Sequence, residues 1–301
     1  MWRPLVTVLV ATCAYLFGFR WCRVQNEFTR RVAYWYGTDY HMETVVRSNC
    51  QLSTLYMNMG MIPESGFRSY ADSAETLVRF VLDVGNLSVV DTHVIDVGCG
   101  FADQDILAVR EYGVPHIECI DATPRFVKVA RRRVRDIGLD ANIRIHVGDG
   151  ITYIQRYRNV DVILSIDTVL HIDSRRRFLT NAHTALRTGG RLVISDQVLR
   201  EGEENYDKVM QFMANDSHEI PESNNVNLSE LLESVNELGF RVERIIDISN
   251  RSYTQNQVDV DNPIAKIIAE EYGNEKILKD FIWSRGYDYL RFLVLVLVKT
   301  G

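Results

Sequence analysis

The chain has 301 residues, of which 46% are hydrophobic and 25% are charged. This length suits one large α/β domain with a cap, or two small domains, and the hydrophobic fraction is enough to fill a sizeable core. The formal net charge of −6 argues against an extended nucleic-acid-binding surface. A dense basic run, Arg131 to Arg133 with Arg135, lies opposite the apolar face of a predicted helix. We therefore interpret it as a solvated helix surface.

The chain contains five cysteines, an odd number, and no pair of them has the spacing of metal ligands. We therefore expect no metal site, five reduced thiols and a globular part that is not secreted. The cysteines are Cys13, Cys22, Cys50, Cys99 and Cys119.

An apolar segment, Leu5 to Phe19, lies between Arg3 and Arg20 near the N-terminus. Its 15 residues fall between the length of a signal-peptide core and that of a short membrane span. Three interpretations stay open: a membrane anchor or interfacial helix, a mitochondrial presequence, or a buried N-terminal helix. We treat residues 1–24 as a hydrophobic N-terminal segment that serves as an anchor or a targeting signal.

Residues 25–72 are rich in aromatic residues and methionines. They either pack as N-terminal helices against the sheet or form a helical lid over the functional site. Tyr56, in the stretch Leu55 to Gly60, is our candidate for contact with a substrate. Ser73 is expected to cap the first helix of the main domain, which we place at residues 73–301.

The stretch from Val94 to Asp105 predicts a strand, a tight glycine turn and the start of a helix. His93 to Val97 is short and rich in β-branched residues, which is typical of a strand covered on both faces. Gly98 and Gly100 permit positive φ and a close approach of the backbone. Such a turn presents backbone N–H groups at a helix N-terminus and can therefore cradle a ligand.

The spacing of this turn indicates which ligand it holds. A dinucleotide fingerprint requires a third small residue at position 103, where this chain has Asp103, and the small residue Ala102 comes one step earlier. This argues against the alternative of a NAD-dependent oxidoreductase. Asp96 ends the strand with a carboxylate, which suits an ammonium group better than a pyrophosphate. S-adenosylmethionine (SAM) carries such an ammonium group and no phosphate.

The segments that follow agree with a nucleoside site. Ile117 to Asp121 is a second predicted strand, and its acid comes about 20 residues after the loop, where a βαβ nucleoside site places its ribose-hydroxyl acceptor. Short connections between strands and helices predict a parallel, doubly wound sheet. The other predicted strands are Ile143 to Val147, Val160 to Ser165, Gly189 to Asp196, Arg241 to Ile248 and Arg291 to Lys299. We interpret the polar residues 197–228 as a cap insertion.

These segments, taken in order over residues 50–300, resemble the class I SAM-dependent methyltransferases. The chain looks most similar to the small-molecule branch, which includes sugar and macrolide O-methyltransferases, tocopherol methyltransferases and sterol methyltransferases. The resemblance implies a Rossmann-like, seven-stranded, mostly parallel sheet with a helical N-terminal lid and a cap insertion after the fifth strand. It also implies a final strand that lies antiparallel between its neighbours.

The resemblance also implies which residues hold SAM. Gln104 stays open between a contact with the methionine carboxylate and a position on the helix surface. The expected contacts are Asp96, Gly98 and Gly100 with the methionine moiety, Asp121 with the ribose, Ala122 beside the adenine, Asp149 and Gly150 at the adenine edge, and Ser165 through its backbone.

Methyl transfer to an alcohol or phenol requires the loss of a proton near the transition state, and histidine is the usual base near neutral pH. His171 follows the fourth predicted strand, at the edge of the sheet where such folds bind ligands. It matches the histidine at this place in the sugar and macrolide O-methyltransferases, although Leu170 replaces a second histidine that some of them carry. Asp196 ends the fifth strand and could orient His171 or hold a substrate hydroxyl. A purely structural role stays open for both residues.

The sequence thus predicts a SAM-dependent methyltransferase that acts on a small, lipophilic acceptor, with O-methylation favoured. The alternatives are N- or C-methylation of a sterol- or prenyl-like lipid, and a non-catalytic SAM-binding scaffold. We expect a membrane-associated protein, with membrane contact through residues 5–19. Because SAM is made in the cytosol, we expect the domain of such an anchored protein to face the cytosol. The endoplasmic reticulum is the favoured membrane and the mitochondrion is the alternative.

Overall fold

The structure is a computed structural model that describes residues 55–202, 221–252 and 290–301. The predictions for the N-terminal segment, for most of the lid and for the central part of the cap lie outside the described residues. So do three of the five cysteines. Among the helices of the described ranges, none combines the length and the apolar character needed to cross a membrane.

The described strands form a single seven-stranded sheet in the order β3-β2-β1-β4-β5-β7-β6. The first five strands along the chain pair in parallel, and β7 runs antiparallel to both β5 and β6. This confirms the predicted sheet, including the position of its last strand. The strands are β1 Val94–Val97, β2 Ile117–Asp121, β3 Ile143–Val147, β4 Val160–Ile166, β5 Leu186–Leu199, β6 Phe240–Asp247 and β7 Leu290–Lys299.

Helices connect these strands and cover both faces of the sheet. The α-helices of the described ranges are α1 Tyr70–Val84, α2 Asp103–Glu111, α3 Pro124–Asp136, α4 Gly150–Ile154, α5 Arg175–Ala185 and α6 Leu228–Glu237. Short 3-10 turns are present at Val169–His171, Glu222–Asn224 and Ser249–Arg251.

The predicted start of the first helix and the predicted start of the fifth strand are wrong. The cap of α1 is Ser69 rather than Ser73, because the Ser69 side chain accepts a hydrogen bond from the Asp72 N–H at 3.1 Å. The helix α5 ends at Ala185, and β5 begins at once with Leu186. The strand therefore begins three residues before its predicted start, and Gly189 and Gly190 lie inside it. A Cβ atom on the second glycine would lie 2.8 Å from a β4 carbonyl oxygen, so close strand pairing requires this glycine.

The hydrophobic core consists of two layers, one on each face of the sheet. Residues of α1, α2 and α3 pack on one face, and residues of α4, α5 and α6 pack on the other. All four residues of β1 are buried, as the run of β-branched residues predicted for a strand covered on both faces. This packing leaves the carboxyl ends of the parallel strands as the edge where a ligand can enter.

Candidate active site

A cleft opens at the carboxyl ends of β1, β2, β3 and β4, and it encloses about 950 Å³, including space open to solvent. The loops that follow these four strands form most of its wall, and the chain before α1 closes one side. The residues that line the cleft include Leu55, Met57, Gly98, Gly100, Phe101, Gln104, Asp121, Ala122, Phe126, Asp149, Gly150, Asp167, Thr168 and His171.

The glycine turn after β1 forms the floor of the cleft. Gly98 and Gly100 both have positive φ, +82° and +55°. A Cβ atom at Gly98 would lie 2.1 Å from Thr168 Oγ1, so this position is restricted to glycine by the neighbouring loop. No atom lies within 4 Å of a Cβ atom built on Gly100. The turn therefore leaves open space at Gly100, on the side of the cleft.

The helix α2 begins at Asp103, the position at which a dinucleotide fingerprint requires a small residue. Ala102 takes the left-handed conformation, with φ of +66°, and Asp103 opens the helix. The Asp103 carboxylate is buried and forms a bidentate pair with Arg133 of α3, at 2.6 and 2.7 Å. Arg131 donates two hydrogen bonds to a β3 carbonyl. The interpretation of the arginine run as a merely solvated surface is therefore wrong for these two arginines.

Asp121 lies in the cleft at the end of β2, as predicted for a ribose acceptor. One carboxylate oxygen accepts a hydrogen bond from the Gly100 N–H at 2.9 Å, and the other accepts one from the Thr123 N–H at 2.7 Å. Burial raises the pKa of Asp121 to about 6, and the two hydrogen bonds oppose this rise. Because a carboxylate offers about four acceptor sites, both oxygens can still accept from a ligand. Ala122 lines the cleft beside it.

Asp149 and Gly150 line the opposite end of the cleft, after β3. The Asp149 side chain caps α4 by accepting a hydrogen bond from the Thr152 N–H at 2.9 Å. A Cβ atom on Gly150 would lie 2.5 Å from a methyl group of Val97, so the close approach of the start of α4 to the end of β1 requires glycine. The structure thus brings Asp149 and Asp121 to one cleft, although they come from different loops.

Asp96 does not line the cleft, which corrects the prediction that it contacts a bound ammonium directly. Its side chain is completely buried, and Oδ2 accepts a hydrogen bond from Gln104 Nε2 at 2.9 Å. Gln104 lines the cleft in its place. Oδ1 of Asp96 makes no hydrogen bond of normal geometry within the described ranges. Burial, with the nearby Asp105 charge, raises the pKa of Asp96 well above its usual value.

Beneath the glycine turn lies a cluster that the sequence spacing did not show. Possible ligand atoms of Cys99, Asp105 and Cys119, which lie in the glycine turn, on α2 and on β2, are all within 4.8 Å of one another. Burial raises the pKa of Cys99 to about 12 and that of Asp105 to about 7. It also raises the pKa of Cys119 well above the usual value. Burial in the apolar core of the sheet thus favours the uncharged form of both thiols.

Two further residues that were predicted to contact a ligand, Ser165 and Tyr56, do not line the cleft. The Ser165 hydroxyl donates to the Val97 carbonyl at 2.9 Å, so this side chain joins β4 to β1. Tyr56 is only 3% exposed and packs in the core with residues of α1, whereas its neighbours Leu55 and Met57 line the cleft. Neither residue lines the cleft, so the predicted substrate contact of Tyr56 is wrong, whereas the predicted backbone contact of Ser165 stays a prediction.

His171 lines the cleft, as predicted. It ends the 3-10 turn that follows β4, and its N–H donates to the Thr168 carbonyl at 2.9 Å. The turn places an imidazole group in the same cleft as Asp121 and Asp149, which is where a base for the acceptor would be needed.

Asp196 does not line the cleft, and its predicted contact with His171 or a substrate is wrong. Its side chain is completely buried, and Oδ2 accepts a hydrogen bond from Arg175 Nε at 2.9 Å. Oδ1 accepts from the N–H of Gln197 at 2.9 Å. Side chains alternate between the two faces of a strand, and the position of Asp196 on β5 turns it towards α5.

Asp167 is a cleft residue that the sequence analysis missed. Its backbone takes a positive φ of +50°, which is uncommon for a residue other than glycine. Its carboxylate accepts hydrogen bonds from the Ser195 hydroxyl at 2.5 Å and from the Met59 N–H at 2.6 Å. Burial raises its pKa, and these two bonds oppose the rise. The signal was available, because Asp167 follows β4 just as His171 does.

An apolar wall completes the cleft. The rings of Phe101 and Phe126 are in contact, with centroids 4.5 Å apart, and Leu55 and Met57 pack against them. These four residues line the same cleft as the carboxylates and the imidazole. The cleft can therefore accept a ligand that is apolar on one side and hydrogen-bonded on the other.

Comparisons with known proteins agree with this geometry. Residues 88–233 match a family model described as a methyltransferase domain. The chain is 25% identical over 176 residues to erythromycin 3''-O-methyltransferase from Saccharopolyspora erythraea, an alignment that covers 58% of this chain and 55% of that protein. It is 35% identical over 103 residues to phosphoethanolamine N-methyltransferase 1 from Triticum aestivum, covering 34% of this chain and 20% of that protein. The chain thus spans between a fifth and a little over half of these two relatives.

Among solved structures, the chain is similar to a geranyl diphosphate methyltransferase in complex with GPP and sinefungin. The TM-score is 0.73 at 15% sequence identity, and the match covers 91% of this chain and 99% of that one. Similarity at this level of identity shows the fold. The predicted resemblance is confirmed: the sheet is that of the class I methyltransferases.

Proposed function

We propose that this chain, which carries a methyltransferase domain over residues 88–233, transfers a methyl group from SAM to a small, lipophilic acceptor. One observation supports this most strongly. Asp121, Asp149 and the open glycine turn line the same cleft as His171, although they lie on four different loops. This arrangement fits a nucleoside cofactor held beside a group that can take a proton.

The described residues fit SAM. Open space at Gly100 leaves room for the ligand, and Asp121 has acceptor sites left for the two ribose hydroxyls. Gln104 uses its amide N–H on Asp96, which leaves its carbonyl oxygen to accept from an ammonium group. Bound SAM supplies a methyl group that its sulfonium already activates. The protein therefore has to align the acceptor, exclude water and remove a proton.

The apolar wall of Phe101, Phe126, Leu55 and Met57 supports a lipophilic acceptor. His171 supports O-methylation, because an imidazole can take the proton of a hydroxyl near neutral pH. A second candidate, N- or C-methylation of a sterol- or prenyl-like lipid, is favoured by Asp167. Its carboxylate in the cleft could face a cationic amine or a developing carbocation.

The decisive experiment for the reaction uses SAM with an isotope-labelled methyl group. The acceptor pool is a total metabolite and lipid extract, supplemented with phosphoethanolamine, a macrolide glycoside and geranyl diphosphate. We expect label in an apolar hydroxyl compound. Isothermal titration with SAM and S-adenosylhomocysteine measures cofactor binding separately. A protein that binds neither nucleoside at high micromolar concentration would refute the proposed function. Binding without transfer of label would favour the non-catalytic scaffold.

The role of His171 is tested in the same assay. We expect His171→Ala to lower turnover by about 10²-fold or more while the SAM affinity stays within about twofold, because the base acts only in the transition state. The matched control is His183→Ala, since His183 lies on α5 and packs against Phe240, outside the cleft. Full turnover of His171→Ala would remove this residue from the mechanism without affecting the cofactor assignment.

We propose, from the sequence alone, that residues 5–19 attach the protein to a membrane with the catalytic domain in the cytosol. The apolar character of this segment and its flanking arginines support this. Fractionation of cells that express the full chain, or a chain that starts at residue 25, would test it. Equal amounts of both forms in the soluble fraction would contradict the proposal.

A further inference from the structure

The turn that carries His171 is held from outside the cleft by one buried side chain. We use "His171 turn" for residues 168–173. The side-chain amide of Asn224 donates hydrogen bonds to the carbonyl oxygens of Leu170 at 2.9 Å and of Ile172 at 2.6 Å, on the two sides of His171. The Val169 carbonyl lies at 3.5 Å from the same nitrogen. Asn224 is 3% exposed and does not line the cleft.

Asn224 is in turn fixed by Arg175, the first residue of α5. The Arg175 N–H donates to Asn224 Oδ1 at 2.8 Å, and the Arg175 guanidinium donates through Nη1 to the Asn224 carbonyl. The same guanidinium donates through Nε to Asp196 at 2.9 Å and through Nη2 to the Gln197 carbonyl at 3.0 Å. Asn224 is therefore held through both its side chain and its backbone.

The buried polar side chains of this network, Arg175, Asp196 and Asn224, all have hydrogen-bond partners. A buried charge is stable only when it is paired and hydrogen-bonded, and here the Arg175 and Asp196 side chains are 4% and 0% exposed. A shift of Asn224 would break its bonds to Arg175 and also uncover carbonyls of the His171 turn. The network therefore fixes the turn more firmly than a water-exposed contact would.

The geometry points to Asn224 as a positioning residue that holds His171 in its catalytic place through the Leu170 and Ile172 carbonyls. This inference deepens the proposed function and rests on it, because it requires His171 to act as the base. Arg175 supports the same role because it binds both the side chain and the carbonyl of Asn224, and Asp196 supports it by pairing with Arg175.

The first readout needs no acceptor. Hydrogen exchange by mass spectrometry, in the full chain with S-adenosylhomocysteine present, compares wild type, Asn224→Ala and Asn142→Ala. The control Asn142 also donates its side-chain amide to a backbone carbonyl, that of Pro115 at 2.9 Å, but at the opposite edge of the sheet. We expect at least tenfold faster exchange in the peptide that spans residues 169–173 for Asn224→Ala and no change for the control. Unchanged exchange in Asn224→Ala would overturn the inference.

The second readout separates positioning from general structural damage. With labelled SAM and the same extract as acceptor pool, Asn224→Ala should lower turnover at least tenfold and leave S-adenosylhomocysteine affinity within twofold. In the His171→Ala background, Asn224→Ala should lower turnover by less than threefold more, because a residue that acts through His171 has nothing left to position. If the turnover loss of the double variant equals the product of the losses of the two single variants, the inference is overturned.

A further variant guards against misfolding. Asn224→Asp keeps the oxygen that accepts from Arg175 but places an acceptor oxygen where the N–H donors to the turn were, so it should show at least the same turnover loss, and circular dichroism with a thermal melt shows whether it folds. Wild-type turnover of Asn224→Asp would overturn the inference. If His171→Ala itself keeps full turnover, the catalytic role of His171 fails, and the positioning role fails with it. If only the Asn224 variants keep full turnover, the positioning role alone fails.

Discussion

Two adjacent arginines allow a direct test of how much the buried network stabilises the fold. Arg175 pairs with Asp196 at 2.9 Å, with 4% and 0% of the two side chains exposed. Arg176 pairs with Glu237 at 2.8 Å, with 57% and 52% exposed. The two pairs thus differ in burial and in the two backbone carbonyls that the Arg175 guanidinium also binds. Methionine replaces either arginine with an uncharged chain of similar length.

We expect Arg175→Met to destabilise the protein by about 3–5 kcal/mol, because it leaves the Asp196 carboxylate buried without its partner. Arg176→Met should cost at most about 1 kcal/mol, since water screens an exposed pair. At about 2–4 °C per kcal/mol for a domain of this size, the first variant should lower Tm by about 6–20 °C, and the second by less than about 4 °C. Urea unfolding followed by circular dichroism gives the free energies, and thermal melts give Tm.

A double variant separates the charge from the packing. Arg175→Met combined with Asp196→Leu removes both charges and should regain part of the lost stability, because no uncompensated charge stays buried. The recovery should be partial, since the Asn224 and Gln197 carbonyls still lose the guanidinium as donor. Equal losses for Arg175→Met and Arg176→Met would refute the reasoning that burial makes this pair important.

Three further predictions concern the cleft. The affinity for S-adenosylhomocysteine should fall about tenfold per unit as pH drops below about 6, because protonation of Asp121, whose pKa burial raises to about 6, removes an acceptor for the ribose hydroxyls. Titration calorimetry should show a weaker dependence for Asp121→Asn, and a flat wild-type profile would contradict the assignment. Gly98→Ala should lower Tm more than Gly100→Ala: both add a left-handed cost of about 1–2 kcal/mol, but only the first places a Cβ atom 2.1 Å from a neighbouring oxygen. Equal melts would argue against that clash. Arg133→Met should weaken cofactor binding, because its bidentate pair at 2.6 and 2.7 Å anchors the start of α2. Arg132→Met, whose arginine is 83% exposed, is the control, and equal affinities would exclude the anchoring role.

The glycine turn shows how far local pattern could go. A run of β-branched residues, two glycines and a helix start were sufficient to predict the turn, the cleft edge and the acid of the next strand. The same pattern misplaced Asp96. Whether a carboxylate at the end of a strand reaches the ligand depends on the neighbouring side chains, and Gln104 occupies that place. Sequence spacing carries no information about such a substitution of one polar group for another.

Most errors in the predicted site concern whether a side chain faces the cleft or the core. Tyr56 and Asp196 were placed at the right edge of the sheet or next to it, but both side chains point into the protein. In an extended segment, a shift of one residue along the chain moves a side chain from the cleft side to the core side. Packing of the strand against the helices determines which residues face the core. Asp167 is the opposite case, since its unusual backbone turns it into the cleft.

The sequence by itself determined the parallel, doubly wound sheet and the presence of Asp121, Asp149 and His171 at its carboxyl edge. These features follow from hydrophobic periodicity and turn chemistry, which act over a few residues. Only the tertiary structure decided that the Asn224 side chain supports the His171 turn from 52 and 54 residues away. Such a contact is satisfied by three-dimensional packing of buried polar groups, and no local pattern encodes which distant carbonyl a buried amide will meet.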